Sequence, residues 1–343
     1  MGAAATGPAG RLLVPRVRGR LSALLVCLAL AAVASATRAA STEDLDPDVQ
    51  AWLLGDGAGR TGLQAEAGYR LEYDSNVPSG PDNLLVPGIG ADRSDLRHAL
   101  FGDLVGRYDL GRGWSLFGEA HLNAGFHQTL SQYDHFTHDW VASLGWSGRR
   151  WGFRLPLEFE QILLDGERLQ DVFSAAPGVI LQATPQLQLY PFLRWEHRGF
   201  RQAPAPAEQR DGNAWFGGLT VAWSTPDGAT AVRGIFDYGR EDLEGRNWQR
   251  DRWHAYLRLD QRLTKRLSLV LGGEIHGYDH DHLHDAFLVR RDDTRYSGFG
   301  ALRYAFSSHW SLDLSGIVIH NSSNIDLYAF DRYVVSGGLT WRY

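Results

Sequence analysis

From Leu63 to Tyr343 the chain repeats one pattern: apolar and polar residues alternate in runs of about ten or more, and turn residues divide the runs. Leu267, Leu269, Leu271, Gly273 and Ile275 alternate with Ser268, Val270, Gly272, Glu274 and His276; Trp114, Leu116, Gly118, Ala120 and Leu122 alternate with Ser115, Phe117, Glu119, His121 and Asn123. Successive side chains of a strand point to opposite faces, so each run builds one apolar and one polar face. The pattern predicts about fourteen strands, near 62–74, 95–109, 113–126, 137–148, 151–163, 168–182, 186–199, 212–224, 228–240, 250–263, 266–279, 293–307, 309–321 and 328–343, the sixth being the least regular. Pro156 and Pro191 fall inside two of them, where each should weaken the ladder or mark a bulge.

The connections carry a second regularity. Every other one is short: Gly111-Arg112, Ser147 to Arg150, Thr184-Pro185, Thr225 to Gly228, Thr264-Lys265 and Ser307-Ser308. The rest, at 75–94, 127–136, 164–167, 200–211, 241–249, 280–292 and 322–327, are expected to be the longer, polar set. Aromatics gather beside the short turns, at Tyr108, Trp114, Trp146, Trp151, Trp223, Phe306, Trp310 and Tyr343. Short turns on one side, longer loops on the other and an aromatic belt are the marks of a transmembrane, antiparallel, up-and-down β-barrel. An even strand count would put both termini in the periplasm. A soluble sandwich or propeller also has many alternating strands, but explains neither the alternation of turn length nor the belt.

The N-terminus points the same way. Arg11, Arg16, Arg18 and Arg20 stand in a stretch without acids, an apolar run follows from Leu21 to Val33, and Ala34-Ser35-Ala36 closes it. This is the pattern of a secretory signal over residues 1–36, cut after Ala36 or Ala39, followed by a short polar periplasmic leader over 37–61 and the barrel over 62–343. The expected address is the bacterial outer membrane, with outer-membrane lipid and lipopolysaccharide as surroundings. Cys27, the single cysteine, falls inside the signal, so the mature chain has no disulfide, thiolate metal site or cysteine nucleophile. Without the signal, 30 basic residues face 40 acidic ones, a balance with no electrostatic footprint for nucleic acid. No cofactor motif is present.

The polar faces hold charges of both signs: Glu66, Arg70, Glu72, Asp103, Arg107, Glu119, Arg154, Glu158, Glu160, Arg194, Glu196, Arg198, Arg233, Asp237, Arg258, Asp260, Glu274, Arg303, Asp313 and Arg342. Facing a lumen, such residues either line a pore or form a salt-bridged network that fills it; without a ring of one sign, a network or gated lumen is the expectation. His280, His282 and His284 alternate in a loop and are weak candidates for a transition metal, a solvated loop being the plainer account. His320-Asn321-Ser322-Ser323-Asn324 is loosely similar to the His-x-Ser-Asn-Gly stretch of outer-membrane phospholipases but lacks the Gly, and no enzyme activity is expected.

The last run places Tyr333, Val335, Gly337, Leu339, Trp341 and Tyr343 on one face. A terminal strand ending on an aromatic resembles the signal read by the barrel-assembly machinery, the partner implied during biogenesis. Two longer stretches carry a family resemblance. Gly68-Tyr69-Arg70-Leu71-Glu72-Tyr73-Asp74-Ser75-Asn76-Val77 resembles the first strand of the barrel domain of surface lipoprotein assembly modifiers. Asn321-Ser322-Ser323-Asn324-Ile325, Tyr328, Asp331-Arg332 and the final strand resemble its closing hairpin. The first motif is also similar to barrel porins found with exopolysaccharide export systems. About twenty polar residues stand where assembly modifiers carry a periplasmic helical-repeat domain. The resemblance implies a non-enzymatic barrel that assists surface export or assembly of a macromolecule, its client a lipoprotein, another protein or a polysaccharide. A passive porin-like channel for small polar solutes is the alternative, and a lipid-modifying enzyme built on His320 and Ser322 the third reading.

Overall fold

The computed structural model describes residues 62–80, 93–201 and 205–343. The expected signal and leader lie outside the described residues, as does most of the first long loop. The chain is built from strands β1 (Gly62–Asp74), β2 (Asp95–Gly111), β3 (Trp114–His127), β4 (His135–Ser147) and β5 (Trp151–Leu164). These are followed by β6 (Glu167–Ala175), β7 (Gly178–Gln182), β8 (Leu187–Phe200), β9 (Gly212–Ser224) and β10 (Thr230–Leu243). Then come β11 (Arg250–Arg262), β12 (Leu267–Leu283), β13 (Arg290–Ala305), β14 (Trp310–Ser323) and β15 (Phe330–Arg342). Each pairs antiparallel with its neighbours, and β1 pairs with β15 from Glu66↔Arg342 to Asp74↔Val334, so the sheet closes on itself.

β6 and β7 are two halves of one spanning strand between β5 and β8, so the wall has fourteen spans. The break falls at Ala176-Pro177. The Ala176 amide donates to Pro156 O (3.1 Å) and the Leu193 amide to Pro177 O (3.1 Å), which shows that Pro156 and Pro191 both turn their donor-less nitrogens toward the broken strand. Neither proline removes a ladder bond that an unbroken neighbour could have used. Tyr190 crosses the gap, its hydroxyl donating to Ala176 O (3.1 Å), and its ring lies where a Cβ on Gly178 would stand.

One rim carries tight turns with a shared chemistry. Thr184 Oγ1 accepts from the amides of Gln186 and Leu187, Thr264 Oγ1 from Arg266 and Leu267, and Ser307 Oγ from His309 and Trp310, all between 3.0 and 3.2 Å. A hydroxyl at the first turn position thus satisfies the amides that no strand can reach. The connection at 164–167, expected among the longer loops, is a two-residue turn: Asp165 and Gly166 have φ of 50° and 75°, the left-handed pair that matches strand twist.

The outer face is apolar. Leu63, Leu100, Leu104, Leu193, Leu257, Leu312 and Val318 are exposed on it. The expected belt at the turn end is present, with Trp114, Trp151, Trp223 and Trp310 exposed. A second belt lies nearer the loop end, with Trp140, Trp215, Tyr238, Trp253, Tyr296 and Tyr333 exposed. The expected assembly-signal residues of β15, Tyr333 to Trp341 at alternate positions, share this face with Tyr343. A shallow apolar groove over Gly106, Gly118 and Ala142 is also on the outer surface. Among the described residues no helix is long and apolar enough to cross a membrane, and the strands do the crossing. Closure pairs every strand edge and the apolar belt matches lipid tails, so the chain is an outer-membrane β-barrel.

The seam between β1 and β15 is locked at the loop end. Arg332 Nε donates to both Asp74 oxygens (3.0 and 3.1 Å) and Arg332 Nη1 to Ser79 Oγ (3.0 Å). Asn76 Nδ2 donates to Asp331 O (2.9 Å), and the Tyr333 amide to Ser75 Oγ (2.8 Å). Asp74 is 0% exposed and Arg332 6%. Breaking one side of such a pair leaves a buried charge alone and costs about 3–5 kcal/mol. Arg332→Met is therefore expected to lower the temperature at which the folded barrel loses its fast gel mobility, and adding Asp74→Asn should restore part of the loss. An unchanged transition in Arg332→Met would remove the lock from the account of stability.

Candidate functional site

The inner face alternates with the apolar one and holds the charged side chains. Near the turn end of the seam, Glu66 accepts from Arg303 (2.9 Å) and Arg342 (3.1 Å), Arg303 Nε donates to Asp313 (2.6 Å), and Thr340 donates to Asp313. Farther round, Arg194 and Arg198 pair with Glu196 (2.7 and 2.6 Å), and Arg198 reaches Glu241 (3.1 Å). Arg258 pairs with Asp260 (2.8 Å), Glu72 with Arg97, and His121 bridges Asp103 (2.6 Å) and Glu119 (2.5 Å). Arg70 stacks on Phe101 (4.2 Å), Arg154 lies over Phe117 (5.0 Å) and bonds Ser143 (3.1 Å), and Glu158 accepts from Ser174 (2.9 Å). Arg107 and Arg233 sit on the same face, half-buried.

These charges are laterally sorted. In a ring of fourteen, strands seven places apart lie across the lumen, so β3–β5 face β11–β13. The β3–β5 wall presents Glu119, Asp139, Glu158 and Glu160, with Arg154 its one arginine on the inner face. The β11–β13 wall presents Arg250, Arg252, Arg258, Arg291, Arg295 and Arg303 against Asp260, Glu274 and Asp293. An acidic wall thus faces a wall rich in arginine, of which Arg250, Arg252 and Arg303 pair with Glu241, Asp237 and Asp313 of the flanking strands. Charges of opposite sign on low-dielectric walls set up a field across the lumen rather than along it.

The loop end is narrowed by its own packing. Val77, Tyr133, Ile162, Leu164 and Leu169 make one apolar cluster there, and Leu243, Trp248, Ile325 and Tyr328 another. Glu208 ties the second together, accepting from Asn247 Nδ2 (2.6 Å) and Trp248 Nε1 (2.9 Å). Arg210 lies over the Trp248 ring (3.7 Å) and Arg291 over Tyr328 (3.2 Å). Among the described residues every strand is paired into the wall.

The three loop histidines are not brought to one point. β12 runs on to Leu283, so His280 lies on a strand rather than in a loop; its Nδ1 donates to Asn247 O (2.9 Å). His282 is exposed and bonds Gln249 (2.9 Å), while His284 joins the second apolar cluster. His320 and Ser322 lie on the outer face near the loop end, His320 Nδ1 bonded to Asp331 (2.7 Å), and among the described residues no hydrogen bond joins the two. Asp139, His121, Arg252, His254, His276 and Arg295 belong to the polar lumen too. The alternation that identified their neighbours would have found them, since each shares its strand's polar parity.

No family model matches the chain, and no curated protein matches it. Solved structures similar to it are outer-membrane barrels. They include the outer membrane channel DcaP of Acinetobacter baumannii, at 9% identity, covering 84% of this chain and 99% of that one, with a TM-score of 0.49. The anion-selective porin from Comamonas acidovorans is 9% identical, covering 83% and 99%, with a TM-score of 0.46. In-vitro folded OmpT, an outer membrane protein of Vibrio cholerae, is 8% identical, covering 82% and 98%, with a TM-score of 0.44.

His284 makes the loop-end packing sensitive to acid. The Ala286 amide donates to its Nδ1 (3.2 Å), so the neutral ring carries its proton on Nε2 and donates it to Tyr328 Oη (2.8 Å). Burial holds the imidazole below its ordinary value, Glu208 opposing and Arg291 reinforcing, and burial lifts the Tyr328 phenol to about 12. Protonation would set a second N–H against the Ala286 amide. A group with a depressed cationic pKa binds more protons when unfolded, so stability is full above about pH 6.5 and falls as pH drops toward the lowered value. Acidification below about pH 6.5 is expected to change Trp248 emission in the folded barrel, and His284→Gln should flatten the response. A profile unchanged by His284→Gln would overturn this assignment.

Proposed function

We propose that the chain is a non-catalytic, porin-like channel of narrow bore for small polar solutes, with its loop end facing the cell exterior. The transverse field between the β3–β5 and β11–β13 walls supports this reading. A solute with separated positive and negative ends gains by turning its dipole across such a field, while an apolar solute disrupts bound water without compensation. A network meant only to fill the lumen would place each carboxylate beside its own arginine, as at Arg258–Asp260. The β3–β5 wall instead gathers four carboxylates with Arg154 its one arginine, His121 being bonded to Glu119 and Ser174 of the next strand to Glu158.

The export-assisting reading is the weaker one. Its carriers, Asp74-Ser75-Asn76 and Asp331-Arg332, are accounted for as the two sides of the seam lock, a role any closed barrel needs.

Planar-bilayer recordings of the purified barrel test the proposal. Steady conductance is expected, and neutralising Asp139, Glu158 and Glu160 together should shift the reversal potential in a salt gradient toward anions. A protein that folds, inserts and yet passes no current would sink the channel reading and return attention to surface molecules lost on gene deletion.

A further inference from the structure

On the basic wall, away from the narrowed mouth, two histidines and a carboxylate converge. His254 of β11 and His276 of β12 are direct cross-strand partners, their rings stacked 4.2 Å apart at 10°. Glu274, two residues before His276, shares their face. One of its oxygens is 3.6 Å from His254 Nε2 and 3.3 Å from His276 Nε2. One donor atom from each of the three residues lies within 4.8 Å of the others. Two ligands held about 2.0–2.1 Å from a tetrahedral ion are about 3.3 Å apart, so these spacings suit a shared ion once the two rings tilt out of their stack and their in-plane lone pairs converge.

The surroundings are those of a built site. His254 Nδ1 bonds Asp237 Oδ2 (2.9 Å) from the next strand, and Arg252 in turn donates to Asp237 (3.0 Å). A carboxylate behind an imidazole fixes its ring and presents the far nitrogen to a metal, the usual support for a histidine ligand. Glu274 has only 6% of its side chain exposed, and its second oxygen has no hydrogen-bond partner. Buried carboxylate oxygens without partners are costly and call for a cation or water. Arg252 and Arg295 are the nearest cations on the wall, the first turned to Asp237 and the second across the register from His276.

We propose that His254, His276 and Glu274 form a binding site for one divalent transition-metal ion of the zinc class on the lumen wall. Two imidazole nitrogens select against calcium and magnesium, which prefer all-oxygen shells. Three protein ligands leave a coordination position for water or for a solute group in the lumen. The site is separate from the channel reading and stands or falls without it.

The test is titration calorimetry of Zn2+ into the chelator-stripped, purified barrel in detergent, with fold checked by heat-modifiable gel mobility. One Zn2+ per chain is expected. His276→Asn and Glu274→Gln should each weaken binding by at least about 100-fold, and Asp237→Asn by about 10-fold through loss of ring support. Should a histidine variant fail to fold, Glu274→Gln carries the decision, and Co2+ bound to the wild-type barrel should show the visible absorption of a four-coordinate nitrogen and oxygen site. No Zn2+ uptake by the wild type, or uptake undiminished in Glu274→Gln and His276→Asn, would overturn the proposal.

Discussion

Closure of the sheet is the constraint on which the rest depends. Inside a bilayer no water is available to satisfy backbone N–H and C=O groups, so the first and last strands must find each other across the full length of the chain. The seam does this with nine consecutive register pairs and with charge at both of its ends: Asp74–Arg332 toward the loops, Glu66 with Arg303 and Arg342 toward the turns. These contacts join residues more than two hundred positions apart, and loop-closure entropy opposes each of them. Strong, charge-assisted bonds at the seam are the physical answer, because they are shorter and stronger than neutral ones and are bidentate where arginine supplies them.

A closed wall fixes parity, and parity sorts everything else. Once Leu and aromatic residues take the lipid face, alternate positions must face inward, and a lumen of this size tolerates charge only if it is paired or hydrated. Many of the charges are paired along the wall with near neighbours, as in Arg198 between Glu196 of its own strand and Glu241 two strands away. Carboxylates gather on β3–β5, where Asp139, Glu158 and Glu160 stand together. Local pairing serves stability; the channel proposal rests on this collected acidity opposite an arginine-rich wall.

How much of this the sequence revealed follows from the same geometry. A period of two is readable from one strand alone, so β1 and β9 match their predicted ranges at both ends and the strand count agrees. Angular position is not readable from one strand. The charges of the polar faces look balanced in sequence order, and only the ring order shows that carboxylates of β3–β5 confront arginines of β11–β13. The break at Ala176-Pro177 was signalled by an irregular sixth run, while Pro156 and Pro191 gave no sign that both face that break. The histidines show the limit most clearly: His280, His282 and His284 are close in sequence and part in space, whereas His254 and His276 are 22 positions apart and stack, because cross-strand register and not sequence spacing decides contact in a sheet.

The terminal motifs teach a related point about resemblance. Asp74-Ser75-Asn76 and Asp331-Arg332 look like signatures of a particular family, yet much of their chemistry is spent across the seam: carboxylate to guanidinium, Asn76 amide to Asp331 carbonyl, Ser75 hydroxyl to Tyr333 amide. A motif whose chemistry is consumed in closing the barrel can recur wherever a barrel of this kind must close, whatever passes through it. Functional information should then lie where chemistry is not needed for closure. In this barrel that is the wall away from the seam, with the acidic β3–β5 face and the His254–Glu274–His276 cluster set across from it.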